Sequence, residues 1–153
     1  MLALFKKKAP RFFSTEDQEK IVQAIKNAEL QTSGEVRVYI ESHCRFMDAI
    51  DRASELFFGL KMQETAQRNG VLVYVAMKDR QLAVFADEGI YQREGRDFWN
   101  EAVKKMLLHF NKENYPEGIA SVVQEIGSVL SRHFPYDGAT DKNELPDEIV
   151  FGK

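Results

Sequence analysis

The sequence has 153 residues, of which 44% are hydrophobic and 29% are charged, so it suits one globular domain with a sizeable core. Its formal net charge of -3 provides no overall attraction to nucleic acid or to an anionic membrane surface. The single cysteine, Cys44, excludes an internal disulfide, and no apolar stretch is long enough to span a membrane. The apolar residues at the N-terminus precede Lys6-Lys7-Lys8, which is the reverse of a secretory signal. We therefore expect a cytoplasmic protein with no direct membrane insertion and no nucleic-acid partner.

The chain divides into a lead-in over residues 1–13, one domain over residues 14–135 and an extended C-terminal tail over residues 136–153. Ser14 and the acids after it predict the start of a first helix. In residues 36–41, apolar side chains alternate with polar ones, which indicates a strand at or near an edge of a sheet.

A buried hairpin follows. Residues 71–77 form an unbroken apolar run that is rich in β-branched side chains and too short for a typical helix. Residues 78–81 predict a polar turn, and residues 82–86 predict a second buried strand paired antiparallel to the first. We expect residues 71–77 to be the central strand, parallel to residues 36–41.

Apolar residues at helical spacing predict three more helices, from Phe46 to Leu60, from Phe98 to Phe110, and from Tyr115 to the Phe134-Pro135 stop. The element order is then α-β-α-β-β-α-α. Because the central strand is apolar on both faces, helices must cover both, and the predicted fold is an α/β/α sandwich with a small mixed sheet.

In this topology, three segments meet at one end of the sheet. Gly34-Glu35 enters the first strand, Arg68-Asn69-Gly70 enters the second, and Asp87-Glu88-Gly89 leaves the third, with Asp97 close enough in sequence to fold back onto them. Clustered carboxylates need a counter-charge, and ligation by oxygen alone favours Ca²⁺ or Mg²⁺. The predicted metal ligands are Glu35, Asp87, Glu88 and Asp97, and the supporting residues are Arg68, Asn69, Gly70 and Gly89.

The same residues also have purely structural interpretations: Asn69-Gly70 as a turn, Asp87 as a strand terminator and Asp97 as a helix cap. At the opposite end of the sheet, His43 and Cys44 are nearly adjacent, which does not by itself give the geometry of an activated nucleophile. We interpret Cys44 as a semi-buried loop residue.

Several short pieces together resemble the TPM domain family: Thr65–Leu72, the Asp79-Arg80 turn, Asp87–Ile90 with Phe98-Trp99 downstream, and Ser33–Val36. Asn143–Glu148 in the tail is similar as well. The resemblance implies an α/β sandwich, a divalent-cation site in acidic loops and, from one plant branch, a proposed acid phosphatase activity. Lacking a signal peptide and a C-terminal membrane span, the chain is most similar to the short soluble bacterial branch. Bacterial members often accompany membrane-associated proteins of the LemA type, which suggests such a partner.

Three functions remain open. The leading one is a soluble module that binds a divalent cation and acts as an accessory or interaction protein; the others are a metal-dependent acid phosphatase and a metal-free structural module. A phosphatase needs a positive group beside the cation to receive phosphate. Arg68 lies at the predicted end for this role, and Arg80 at the other. The tail is interpreted as a disordered end. In the alternative, it packs on its own domain or on a neighbour, with Leu145, Ile149, Val150 and Phe151 as docking points.

Overall fold

The computed structural model describes residues 12–136 and 149–152. These residues form five helices and four strands. In chain order the elements are α1 (Thr15–Glu29), β1 (Glu35–Glu41), α2 (Ala49–Gly59), β2 (Gly70–Ala76), β3 (Gln81–Ala86), α3 (Glu88–Glu94), α4 (Arg96–Asn111), α5 (Tyr115–His133) and β4 (Ile149–Phe151).

The sheet has the strand order β3-β2-β1-β4. β1 pairs parallel to β2, with Val38 opposite Val73, and β2 pairs antiparallel to β3, with Val73 opposite Val84. Every residue of β2 is buried, as expected for a strand covered on both faces. The predicted strand order and directions are therefore confirmed.

Helices cover both faces of this sheet, which confirms the predicted sandwich. One face packs its β-branched side chains, among them Val36, Val71 and Val84, against α1, α4 and α5. The other face packs Tyr74, Ala83 and neighbouring residues against α2. Within the described ranges, no helix combines the length and the apolar composition that a membrane span requires.

The fourth strand corrects the interpretation of the tail. Residues 149–151 pair in parallel with β1, placing Ile149 opposite Val38, and the Gly152 N–H donates to the Ile40 carbonyl at 2.7 Å. A disordered end is thus wrong for these residues, because the apolar run Ile-Val-Phe completes the sheet beyond β1. The rest of the tail interpretation, over residues 137–148, and residues 1–11 of the predicted lead-in lie outside the described residues.

One helix boundary differs from the sequence prediction, and one helix was not predicted. α2 begins at Ala49 and not at Phe46, because Phe46 has a left-handed backbone (φ 68°) and is fully exposed. The short helix α3 was not predicted. The sequence places residues 87–89 only as the segment that leaves the third strand. In the structure, Asp87 caps a helix by accepting a hydrogen bond from the Glu88 N–H at 2.8 Å.

Candidate functional site at the acidic end of the sheet

The structure brings three of the predicted segments together at one end of the sheet. Glu35 and Gly70 are paired residues at the first positions of β1 and β2, and the Glu35 N–H donates to the Asn69 carbonyl at 3.3 Å. The Asp87 N–H donates to the Gly70 carbonyl at 2.9 Å, which holds the end of β3 against the start of β2. The topology therefore places Glu35, Asn69, Gly70 and Asp87 next to one another, as the sequence predicted.

Arg68 supplies positive charge at this end. Its Nε lies 2.7 Å from Asp87 Oδ2 and its Nη2 lies 2.8 Å from Asp87 Oδ1, a two-bonded ion pair with a carboxylate that is 3% exposed. Its third nitrogen, Nη1, lies 3.5 Å from Glu88 Oε1. The hydrogen bonds with Asp87 raise the pKa of the Arg68 guanidinium. Arg68 is thus already the counter-charge of Asp87 in the folded protein.

Gly89 fixes the backbone that carries Arg68. A Cβ at position 89 would lie 2.3 Å from the Gln67 carbonyl oxygen and 2.5 Å from that of Arg68. The Gly89 N–H also donates to the Arg68 carbonyl at 2.9 Å, and Arg68 itself has a left-handed backbone (φ 52°). Only glycine permits this close approach, so α3 and the turn before β2 are held together at Gly89.

Asn69 and Glu35 are buried in the site as deeply as Asp87, and each is 2% exposed. The Asn69 backbone is well satisfied, because its N–H donates to Thr65 Oγ1 at 3.3 Å and its carbonyl accepts from Glu35. Its side-chain oxygen Oδ1, however, is buried without a hydrogen-bond partner among the described residues. A buried amide oxygen in this state is a candidate ligand atom.

The other two predicted ligands are exposed. Glu88 lies in the first turn of α3 and contacts Arg68, and Asp97 lies in the first turn of α4. Gly95, and not Asp97, is the N-cap of α4, so the helix-cap interpretation of Asp97 is wrong. Over residues 12–136 and 149–152, no group of three or more His, Cys, Asp and Glu residues has a geometry that could hold a metal ion.

A profile of the TPM domain matches residues 8–129, which is most of the chain. The chain belongs to the TPM domain family. Its fold is similar to the solution structure of the BA42 protein from the psychrophilic bacterium Bizionia argentinensis, with a TM-score of 0.86, 36% identity, and coverage of 95% of this chain and 99% of that one.

Two more distant structures share the fold. The N-terminal domain of the cg2496 protein from Corynebacterium glutamicum has a TM-score of 0.62 at 11% identity, covering 96% of this chain and 93% of that one. The N-terminal domain of a protein from P. gingivalis has a TM-score of 0.63 at 17% identity, covering 82% of each chain.

The opposite end of the sheet in this TPM domain holds a polar cluster that sequence reasoning missed. Glu41, which is 5% exposed, accepts hydrogen bonds from Arg52 Nε at 2.9 Å and Arg52 Nη2 at 3.1 Å, and from the Tyr74 hydroxyl. Burial first, and then the bond to Glu41, raise the pKa of Tyr74. A tyrosine inside an otherwise apolar central strand was the available signal, because its hydroxyl needs a buried partner.

His43 and Cys44 of the TPM domain do not form a nucleophile pair. Asp79 binds both, with Oδ1 2.8 Å from His43 Nδ1 and Oδ2 accepting from the Cys44 N–H at 2.7 Å. The Cys44 thiol points elsewhere and donates to the Met47 carbonyl at 3.3 Å. Cys44 is therefore a buried loop residue, in line with its sequence interpretation. The bond with His43, followed by that with the Cys44 amide, lowers the pKa of Asp79.

Proposed function

We propose that this TPM domain is an accessory module that binds a divalent cation, Ca²⁺ or Mg²⁺, at its acidic end in competition with Arg68. The observation that carries the proposal is the grouping of buried oxygen atoms around one ion pair. Asn69 Oδ1 is buried without a described partner, and the buried residues Glu35 and Asp87 lie on the adjoining strand ends. A donor set made only of oxygen suits a hard cation.

Arg68 sets the affinity in this proposal. Both oxygens of Asp87 already accept hydrogen bonds from the guanidinium, so a cation gains Asp87 as a ligand only when Arg68 moves away. The apparent affinity for the cation is then the intrinsic affinity multiplied by the fraction of molecules in which Arg68 has released Asp87. Glu88, which is exposed and close to Arg68, is available to the cation or to the released guanidinium.

The experiment is a Ca²⁺ and Mg²⁺ titration followed by thermal unfolding and by backbone amide NMR shifts. We expect a modest stabilisation of the wild type and a larger one of Arg68→Gln, because glutamine no longer competes for Asp87. A ligand specific for the folded state adds roughly 2.7 kcal/mol of stability at a hundred times its dissociation constant. Asp87→Asn is expected to remove the response, and the amide shifts are expected at residues 34–35, 68–70 and 87–89.

Asp51→Asn is the matched control, because Asp51 is an exposed carboxylate in the first turn of α2, at the other end of the sheet. It is expected to keep the full response to cation. If Arg68→Gln and Asp87→Asn both respond like the wild type, Asp87 is not a ligand and the proposal fails.

The accessory role includes a membrane-associated partner of the LemA type, which is supported by the resemblance to bacterial family members that accompany such proteins. A phosphatase is less well supported, because the group that would receive phosphate is already engaged. All three nitrogens of the Arg68 guanidinium lie near carboxylate oxygens of Asp87 or Glu88. We expect no Mg²⁺- or Ca²⁺-dependent hydrolysis of p-nitrophenyl phosphate. If the protein does hydrolyse it and Asp87→Asn abolishes the activity, the phosphatase hypothesis is favoured instead.

A further inference from the structure

β3 is the edge strand of the sheet on the side away from β4. The Asp87 N–H donates to Gly70, and bonded pairs alternate along an antiparallel ladder, so the N–H and C=O groups of Ala83 and Phe85 also face β2. Those of Leu82, Val84 and Ala86 therefore point away from the sheet. Among residues 12–136 and 149–152 they have no backbone partner.

The sequence of this edge strand contains none of the residues that usually protect an edge from pairing. The six residues of β3, Gln-Leu-Ala-Val-Phe-Ala, include no charge and no proline. Natural edge strands are commonly blunted by lysine, proline, a bulge or a covering element, since an open edge is a template for another strand. An uncharged and unpaired edge therefore needs an explanation.

The strand lies at the bottom of a groove. Leu82, Val84 and Ala86 are only 5–8% exposed even though they belong to an edge strand. The groove has a volume of about 800 Å³, and its walls are the start of α2 and the first half of α4, including Ile50, Trp99 and Val103. A strand that paired with β3 would therefore have apolar side chains of α2 on one face and of α4 on the other. Peptide recognition by strand addition uses this arrangement.

We propose that β3 binds an extended, mainly apolar segment of a partner protein as a fifth strand, with an acidic residue at the end of that segment beside Arg96. This inference is independent of the cation site, which lies at the strand ends and not along the edge. The backbone groups of Leu82, Val84 and Ala86 would pair with the segment, and its alternate side chains would fill the two sides of the groove.

The charges of the groove select this occupant. Arg96 and Lys104 lie on the α4 wall, eight residues or about 12 Å apart along the helix axis. Among the described residues, Asp48 is the one carboxylate in the lining. Lys104 already pairs with Glu101 at 3.3 Å, whereas Arg96 has no ion pair within the described part of the chain. It lies near the Ala86 end, because α4 follows β3 through the short α3. The chain's own apolar stretch, residues 1–5, is followed by three lysines and has the wrong charge.

A second copy of the chain fits the groove less well than a lone segment. Its β3 is flanked by its own α2 and α4, so the pairing of two β3 edges would also have to accommodate the α2 and α4 walls of both copies. A single extended segment of five residues is about 17 Å long and has no flanking helices. The groove therefore favours a segment of another protein that is extended outside its own domain.

The test uses synthetic peptides and the intact protein. The probe is acetyl-Asp-Val-Ile-Val-Thr-amide, which places its acid beside Arg96 when it pairs antiparallel to β3. Binding is followed by calorimetry and by amide NMR shifts, which are expected at Leu82, Val84 and Ala86. With lysine in place of the aspartate, we expect about tenfold weaker binding at low salt, because an attraction at Arg96 becomes a repulsion.

Backbone methylation provides the decisive control. One probe is N-methylated at both valines and the other at the isoleucine, so that each blocks one edge of the same peptide. Strand addition requires that only one of them loses binding, because a single edge of the peptide faces β3. Equal affinities of the two methylated probes, or amide shifts confined to the acidic end, overturn the proposal.

The protein variants complete the test without touching β3. Arg96→Glu is expected to reverse the preference between the acidic and lysine probes, while Lys112→Glu, at the C-terminal end of α4, is expected to keep it. The last measurement is amide hydrogen exchange of the protein without peptide. Fast exchange at Leu82, Val84 and Ala86, beside slow exchange at Ala83 and Phe85, supports an open edge. Slow exchange at all five, or a dimer in light scattering that excludes the peptide, overturns it.

Discussion

Arg68 and Asp87 form a two-bonded ion pair across 19 residues of sequence, at the point where β2 begins and β3 ends. The carboxylate is almost fully buried, whereas 39% of the arginine side chain is exposed. The pair therefore joins a buried charge to a partly solvated one. Loss of Arg68 leaves a buried carboxylate without its counter-charge, whereas loss of Asp87 leaves an arginine that solvent can reach.

Arg68→Ala is expected to destabilise the protein, because the buried Asp87 carboxylate then keeps only the backbone N–H of Glu88 as a hydrogen-bond donor among the described residues. Asp87→Ala is expected to destabilise it less, since Arg68 can turn into solvent. Urea unfolding of both variants and of the double variant measures the coupling. The double variant is expected to lose less stability than the sum of the two; strict additivity would mean that the ion pair contributes nothing.

Arg52→Ala is expected to cost about 3 kcal/mol of unfolding free energy, because it leaves the buried Glu41 carboxylate with the Tyr74 hydroxyl alone. Arg132→Ala is the matched comparison, since Arg132 is largely exposed and pairs with Glu94 at 3.2 Å. It is expected to cost less than about 1 kcal/mol. Chemical denaturation of the two variants decides, and similar losses would contradict the assignment of Glu41 as a buried, dependent charge.

Stability is expected to fall in alkaline solution through Tyr74. Its pKa is raised in the folded state, so the folded protein favours the neutral phenol. The resulting stabilisation is complete below the unfolded tyrosine pKa of about 10 and is lost as the pH rises above it. Tyr74→Phe is expected to show a shallower fall in melting temperature between pH 8 and pH 11. Tyr39, whose pKa is raised by burial and by Glu41, contributes to the part that remains. Parallel curves for the two proteins would argue against the proposed role of Tyr74.

Deletion of residues 149–153 is expected to lower the melting temperature by several degrees, because it removes the pairing of β4 with β1 and exposes Val38 and Ile40 at a new edge. Replacement of Lys153 alone by alanine is the control and is expected to have no effect. Differential scanning calorimetry provides the measurement. An unchanged unfolding transition in the deletion variant would mean that residues 149–153 make no contribution to stability.

The strand order was predictable because buried strand positions carry apolar side chains, so the pattern of apolar residues shows which strand is covered on both faces. The run from Val71 to Met77 is apolar at every position, which only a strand covered on both faces requires, and the alternation in β1 records one less buried face. The meeting of Glu35, Asn69 and Asp87 then followed from strand directions alone.

What could not be predicted depends on contacts between distant residues. Nothing near Arg68 in the sequence states that its guanidinium takes Asp87 as a partner, and nothing near Glu41 identifies Arg52 and Tyr74. β4 has only three residues, too few for a periodicity to register. α3 has only seven residues, about two turns, and its start depends on the side chain of Asp87. From the sequence alone, Asp87 is equally compatible with a strand terminator or a metal ligand.

The position of β4 also has a consequence for biosynthesis. Because translation proceeds from the N-terminus, β1 is made before β2 and β3, yet its outer neighbour is made after α5. A chain made only as far as α5 can therefore pair at most three of the four strands, and Val38 and Ile40 then lack the neighbour that covers them on the outer side of β1. We expect this side of β1 to remain an unpaired edge until residues 149–151 have been synthesised.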